Sequence, residues 1–201
     1  MTDYATWQQQ HLAGGVLDTS LAWWKQTLAG APPLLEMPWD RHRPDVFSPV
    51  GIAVALDVPP DVAAALQRLA ADQHTTLFVV LLAAVHCFLG RYSGQDDVVV
   101  GTPYGGRAQE EVQQLAGCLV NTLALRLDLS GDPPFQQLLQ REISITRAAF
   151  EHADAPFARV VDELRLDRSA AFNPVYQVRY LLRFIFRQRM YVGRSRADVC
   201  Q

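Results

Sequence analysis

A run of thirteen residues, LFVVLLAAVHCFL from Leu77 to Leu89, holds one histidine and no charged side chain. It is shorter than the ~20 apolar residues that a membrane-spanning helix needs. Thr75 or Thr76 stands before it as a cap, the helical pattern runs on to Tyr92, and Ser93-Gly94 stops it. A helix apolar nearly all round belongs inside a protein, not on its surface. The remaining chain is therefore expected to build a core around it, with His86 as a hydrogen-bonded core histidine.

The flanking pattern alternates helices and strands. Residues 4–13 read as a polar helix with Tyr4, Trp7 and Leu12 on one side, and residues 18–29 as a second helix capped by Asp18 or Thr19. Five prolines between Ala31 and Pro49 mark an irregular connector, since proline fixes φ and lacks an N–H donor. GIAVALDV (51–58) reads as a strand, and Pro59-Pro60-Asp61 opens a helix to about Gln73 with Val62, Leu66 and Leu69 on one face. DVVVGT (97–102) is a strand of the fully buried type. A short helix at 109–115 precedes a strand at 119–129, in which Leu125, Leu127 and Leu129 face one way and Arg126 and Asp128 the other. A long amphipathic helix follows at 134–151, another opens at Pro156 and ends near Leu164, and a last strand is expected at 174–185. Such a pattern predicts an α/β or α+β sandwich.

The chain has 201 residues, a formal net charge of −3, 49% hydrophobic and 19% charged residues. This suits one large domain or two small ones and excludes a disordered, collagen-like or disulfide-stapled chain. The charge balance argues against a nucleic-acid protein, which needs clustered cations. Cys87 and Cys118 lie in apolar runs and are expected to be small buried hydrophobes. With Cys200 they show no CxxC spacing, which fits a cytoplasmic setting, and no signal peptide is visible. Arg179, Arg183, Arg187, Arg189, Arg194 and Arg196 crowd the end of the chain without helix or strand periodicity. That tail reads as a solvated basic end, as an RNA- or membrane-binding tail, or as something other than a native continuation.

No simple catalytic constellation stands out. His11, His42, His74, His86 and His152 never form HxxxH or HExxH, so no metal is expected. The run Gly101-Thr102-Pro103-Tyr104-Gly105-Gly106-Arg107 is no phosphate loop, and Pro103 removes an N–H that a phosphate would use. Ser93, Ser130 and Ser144 lack a GxSxG elbow. Two runs remain distinctive. In Ala116-Gly117-Cys118-Leu119-Val120-Asn121-Thr122, the Asn-Thr pair either caps a strand or presents amide and hydroxyl groups to a substrate channel. In His152-Ala153-Asp154-Ala155-Pro156-Phe157, Asp154 is placed to cap the helix that Pro156 opens.

Taken in order, these runs resemble the condensation domains of nonribosomal peptide synthetases. Asp3-Tyr4-Ala5-Thr6-Trp7 is similar to the end of the family's YxDYAxW motif, and Asp40-Arg41-His42-Arg43-Pro44 to its DRPRP connector. Gly90 to Asp97, followed by Val100-Gly101-Thr102-Pro103, resembles RYSGQ(E/D)D…VGTP. Ala116–Thr122 resembles (I/V)GxFVNT, His152–Phe157 resembles HQDxPFE, and Arg168–Pro174 resembles RDxSRNP. The likeness covers about residues 1–178. Six motifs in order at family-like spacing are specific where each alone is weak.

The resemblance implies a chloramphenicol-acetyltransferase-like lobe, an α/β (α+β) two-layer sandwich with a mixed sheet flanked by helices. It divides the chain into a helical segment and connector from the end of a first lobe (1–49), a C-terminal lobe (50–178) and an atypical tail (179–201). A complete domain joins two lobes around a tunnel, where amide bonds form between carrier-protein-bound phosphopantetheine thioesters. Partners would be carrier proteins, the first lobe and neighbouring synthetase domains, with no nucleic acid or membrane. No covalent cofactor is expected beyond the carrier's phosphopantetheine arm. Asn121, Thr122, Gly117, Asp154, Pro156, Phe157, Asn173 and Pro174 would lie at the channel or lobe contact. Arg91 would form an ion pair with the aspartate of HHxxxDG or simply end its helix in solvent.

The departures count as well. The family's HHxxxDG signature, whose second His acts on the attacking amine, has no counterpart among the 201 residues. Ala153 and Ala158 stand for Gln and Glu, while Ser169, Ala171 and Phe172 stand for Asp, Ser and Arg. The likeness begins in mid-motif and gives way to the Arg-rich tail after Val178, as in a chain cut from a longer frame. Three functions compete: half of an amide-forming enzyme completed by another polypeptide, a non-catalytic carrier-docking module, and a remnant of a broken synthetase gene. The chain alone is expected to form no amide bond.

Overall fold

The computed structural model describes residues 2–48, 50–107, 110–166, 169–183, 191–192 and 195–196. The central helix is α4, Leu77–Ser93, among seven helices in chain order: α1 (Thr2–His11), α2 (Leu17–Leu28), α3 (Pro60–Asp72), α4, α5 (Glu110–Gln113), α6 (Phe135–Glu151) and α7 (Phe157–Leu164). Thr76 caps α4, its side chain accepting from the Val79 N–H, and Gly94 closes it in the left-handed conformation. The strands are β1 (Asp97–Tyr104), β2 (Asn121–Asp128), β3 (Val178–Arg179), β4 (Tyr191–Val192) and β5 (Ser195–Arg196). β1 and β2 pair antiparallel along their full lengths, from Asp97 opposite Asp128 to Tyr104 opposite Asn121. β3 adds to the other side of β1 in parallel, giving the order β2-β1-β3. This mixed sheet flanked by helices is the α/β sandwich expected from the alternation of elements.

The core follows from the buried faces. Val98 and Val100 on β1, with Leu123, Leu125 and Leu127 on β2, are at most 1% exposed. α4 and α6 pack on each other and against this pair. His86 is a core histidine, as expected: it is fully buried and its Nε2 lies 3.2 Å from the Leu125 carbonyl oxygen. Its Nδ1 lies 2.8 Å from Oε2 of Glu142, also fully buried, and neither atom has another partner. On the opposite face of β2, Arg126 forks onto both Asp97 oxygens at 2.9 and 2.7 Å and donates to the Thr27 and Ala29 carbonyls at the end of α2. Trp24, Leu28 and Leu35 share one apolar cluster with the sheet, so α2 and the start of the connector belong to the same core. Gly101 is required by close approach, since a β-carbon there would run into the Tyr176 ring.

Several expectations are corrected. No strand forms at 51–58: Ile52, Val54 and Leu56 are 92, 85 and 87% exposed, and nothing described lies beside them to supply a ladder. The last strand is only β3 within the described part of 174–185. The N–H groups of Val175 and Tyr176 are taken by the Asn173 side chain, so the ladder starts only at Val178. Neither Asp18 nor Thr19 caps α2. The chain passes from α1 through a kink at Gly14–Gly15 with helical bonding on both sides, and Thr19 instead donates to the Gly15 carbonyl. α4 is not enclosed all round: Phe88 and Tyr92 stack on each other, 60 and 54% exposed, on its open side. Cys118 is exposed and Cys87 half-buried, so neither is a core hydrophobe. Cys200 and three of the six arginines of the Arg-rich stretch (Arg187, Arg189, Arg194) lie outside the described residues. Among the described residues no single helix is long and apolar enough to cross a membrane.

Candidate functional site

Asn121 begins β2 and ties three segments together. Its Nδ2 donates to the carbonyls of Ala153 and Ala155, both at 2.8 Å, and its Oδ1 accepts the Phe157 N–H at 3.0 Å. The first helical N–H of α7 is thus satisfied from a neighbouring strand. Asp154 does not cap α7, as its position had suggested. Pro156 occupies the N-cap position and makes no side-chain cap bond, while Asp154 turns outward to His11 of α1, with Nε2 to Oδ2 at 2.9 Å. Phe157 packs its ring on Tyr176.

Arg107 fixes the loop that leads into Asn121. Its guanidinium donates to the carbonyls of Val112, Leu115 and Gly117 at 2.7, 2.8 and 2.9 Å. One cation satisfying three carbonyls holds an otherwise irregular loop in a single shape. Gly106, beside it, has φ +62°. A side chain there would be strained and would meet the Leu119 carbonyl oxygen.

Between these parts lies a cavity of about 320 Å³, in the usual range of small-molecule sites. α1 supplies Tyr4, Trp7 and His11, at the i, i+3, i+7 spacing of one helix face. The sequence-level grouping of Tyr4, Trp7 and Leu12 is this wall. Trp7 stacks on the His11 ring with centroids 5.0 Å apart. Tyr104 enters from the end of β1, Cys118 and Asn121 from the loop and strand, and Asp154 and Pro156 from the α6–α7 turn. Burial, and then the Asp154 carboxylate and Tyr4, push the Tyr104 phenol up from its ordinary value. Tyr104 therefore stays a hydrogen-bond donor at neutral pH. The cavity offers aromatic walls, a His–Asp pair, a phenol and an amide. Among the described residues no three or more His, Cys, Asp or Glu side chains cluster as metal ligands would.

Of the residues singled out from sequence, Asn121, Asp154 and Pro156 line this cavity and Phe157 adjoins it through Asn121. Thr122 pairs opposite Pro103, one place along the strand and off the cavity wall. Gly117 contributes its carbonyl to Arg107. Asn173 folds the turn before β3 with Pro174, away from the cavity lining. Arg91 is exposed in the last turn of α4 and pairs with no described residue. His152 is stacked on Trp23, with centroids 4.6 Å apart. Sequence reasoning did not single out His11, Tyr104, Arg107 or Glu142 as site or core-pair residues. The stripe Tyr4–Trp7–His11 carried the signal for the first; nothing local marks Glu142.

Comparison with known proteins shows the family of the chain. The family model described as Condensation domain matches residues 1–189. A linear gramicidin synthase polypeptide of Brevibacillus parabrevis is 46% identical over 183 residues, 91% of this chain and 2% of that protein. A plipastatin synthase polypeptide of Bacillus subtilis strain 168 is 40% identical over 186 residues, 92% of this chain and 7% of that protein. The X-domain from teicoplanin biosynthesis superposes with a TM-score of 0.79 at 30% identity, covering 88% of this chain and 40% of that one. This chain therefore spans a small part of the curated relatives it matches.

Proposed function

Because the chain belongs to the condensation-domain family of nonribosomal peptide synthetases, we propose that it forms one wall of an amide-forming channel for carrier-bound thioesters. In this reading residues 50–178 make the C-terminal lobe, residues 1–49 a helical segment and connector docked on it, and residues 179–201 an atypical Arg-rich stretch whose first residues, Arg179 and Tyr180, still join the sheet beside Gly101. The observation that supports the reading is the cavity where α1, the Arg107-held loop, Asn121 and the Asp154–Pro156 turn converge. These are three of the motif runs that carry the family likeness, brought together from positions far apart in sequence.

The cavity residues bind and orient. Tyr4, Trp7 and Tyr104 give flat surfaces for an acyl chain or the phosphopantetheine arm of a carrier protein. The Asn121 knot keeps that wall from shifting, so that a thioester is held in one geometry, the main advantage a channel gives to a two-substrate reaction. Thr122, Gly117, Asn173 and Pro174 support the lobe contact around it. Arg91, exposed and without a partner among the described residues, awaits an acidic residue from a first lobe. The carrier protein, that first lobe and neighbouring synthetase domains are the partners, and the setting is the cytoplasm.

No residue present replaces HHxxxDG, so the chain by itself binds a loaded carrier and forms no amide. The test incubates the purified chain with aminoacyl-loaded holo carrier proteins, reading binding by calorimetry and product by mass spectrometry. Binding that needs the phosphopantetheine arm, without amide product, supports the reading. Amide formed by the pure chain overturns the inactivity, and equal binding of apo and holo carriers overturns the channel.

A further inference from the structure

The core holds a pair of titratable side chains that the channel reading does not use. His86 on α4 and Glu142 on α6 are both fully buried by elements of this chain. Nε2 of His86 lies 3.2 Å from the Leu125 carbonyl oxygen on β2, and Nδ1 lies 2.8 Å from Glu142 Oε2. Glu142 Oε1 accepts the Thr146 hydroxyl at 3.3 Å. A carbonyl oxygen only accepts, so Nε2 carries a hydrogen. Nδ1 and Oε2 at 2.8 Å would repel as two bare lone pairs, so one proton lies between them. On Nδ1 it makes an imidazolium beside a carboxylate; on Oε2 it makes a neutral imidazole beside a carboxylic acid. Both forms leave the pair neutral. Adding a second proton, or removing that one, buries a net charge, which a dry core penalises heavily.

The charges on the neighbouring elements are engaged elsewhere. Asp61, Arg68 and Asp72 on α3, Arg91 and Tyr92 on α4, and Arg147 and Glu151 on α6 are exposed. Arg141 of α6 donates to the carbonyl of exposed Asp128, Arg126 of β2 is forked onto Asp97 of β1, and Tyr104 of β1 lines the cavity. Cys87, beside His86 on α4, feels the Glu142 charge, and burial holds its thiol above the ordinary 9.0.

We propose that His86 and Glu142 share a single proton that the core takes up on folding, which makes the joint of α4, α6 and β2 sensitive to alkaline pH. The proton belongs to the pair and not to either residue. In the unfolded chain His titrates near about 6.5 and Glu near about 4.3. Between those values both states bind one proton, and the pair adds no slope to stability. Above them the unfolded chain binds none and the folded pair still holds one. The contribution is therefore complete below about pH 6.5 and declines as pH rises, with the unfolding constant growing about tenfold per pH unit. Acid opposes the joint as well, since the unfolded chain binds two protons below about pH 4.

The test compares urea unfolding of the full chain and of Glu142→Gln between about pH 7.5 and 8.5, where an unfolded histidine is mostly neutral. The glutamine keeps the shape and donates its amide N–H to a neutral Nδ1, so it needs no shared proton. Across that one unit the unfolding constant of the natural chain should rise about tenfold more than that of Glu142→Gln. A difference under about threefold overturns the proposal. A second measurement uses the natural chain alone and stays decisive if the variant does not fold. In the histidine-labelled protein, nitrogen NMR should show a hydrogen on His86 Nε2 and ring shifts that hold still from about pH 5.5 to 8.5, across the range in which a free imidazole titrates. A bare Nε2, or a His86 ring that titrates within that range, overturns the shared proton.

Discussion

Replacing Asn121 by alanine removes three hydrogen bonds at once and leaves the rest of the fold in place. The two carbonyls that lose a donor belong to Ala153 and Ala155, which are 5 and 1% exposed. The third group released is the Phe157 N–H at the start of α7. Each bond is worth a net ~1 kcal/mol, and a buried partner left unsatisfied costs somewhat more. The adjoining cavity lets water reach part of the gap, which limits that excess. Asn121→Ala should therefore lose about 3 kcal/mol, a fall in thermal midpoint of about 6–12 °C for a chain of this size. Urea unfolding measures the free energy, and an unchanged m value shows that the denatured state is not responsible. Asn121→Asp separates the contributions. It keeps an acceptor for Phe157 but sets carboxylate oxygen against two carbonyls, so it should be no more stable than alanine. A loss below about 1 kcal/mol for Asn121→Ala, or an aspartate variant clearly more stable than alanine, would refute the three-bond account.

Other perturbations test the remaining joints. His86→Ala takes away the neighbour of the buried Glu142 Oε2 and should cost at least about 1–3 kcal/mol for the buried polar group left without a partner; a His86→Leu, Glu142→Leu double variant should be more stable than either single one in a double-mutant cycle by urea unfolding. Arg126→Lys gives up the fork on Asp97 and the reach to the α2 carbonyls and should lower stability by about 1–2 kcal/mol, read from the thermal midpoint. Burial pushes the Tyr180 phenol up to about 12 from its ordinary 10.0. Its contribution to stability is then complete below pH 10 and lost as pH rises toward 12, so Tyr180→Phe should flatten the alkaline fall in thermal midpoint. Burial, partly offset by Arg91, also pushes the Cys87 thiol up, so iodoacetamide should label exposed Cys118 well before Cys87, as read by peptide mass spectrometry.

The sequence made local periodicity legible and left partnerships hidden. α4, β1, β2 and α6 were readable because their burial shows as pattern: a run apolar all round, a triplet of valines, an alternation ending in Leu125 and Leu127. The arm at 51–58 carried an equally clean strand pattern and is not a strand. Alternation states what a segment can pair with, and the pairing needs a neighbour. Asp154 shows the same limit at a single residue. Its place two positions before Pro156 fits a cap, yet His11, 143 positions away in sequence, takes its carboxylate, and Asn121 on a different strand does the capping. The Cys118 error has a related origin, because an apolar run in a loop pinned by Arg107 does not have to face the core.

The cavity itself rests on those non-local partnerships. α1 is a mostly polar helix, and the His11–Asp154 pair is one contact that ties its cavity-facing stripe to the α6–α7 turn. That turn owes its shape to Asn121, and Asn121 stands at the end of a loop shaped by Arg107. The links at His11 and Asn121 join side chains to partners across a long stretch of sequence, while those of Arg107 reach ten residues or fewer. A motif-by-motif reading names the members of such a chain without their bonds. The physical order runs the other way: the sheet fixes Asn121, Asn121 fixes the turn, and the turn presents Asp154 to α1. Removing His11 should therefore loosen α1 and open the cavity while leaving the sheet intact, whereas removing Asn121 should disturb both.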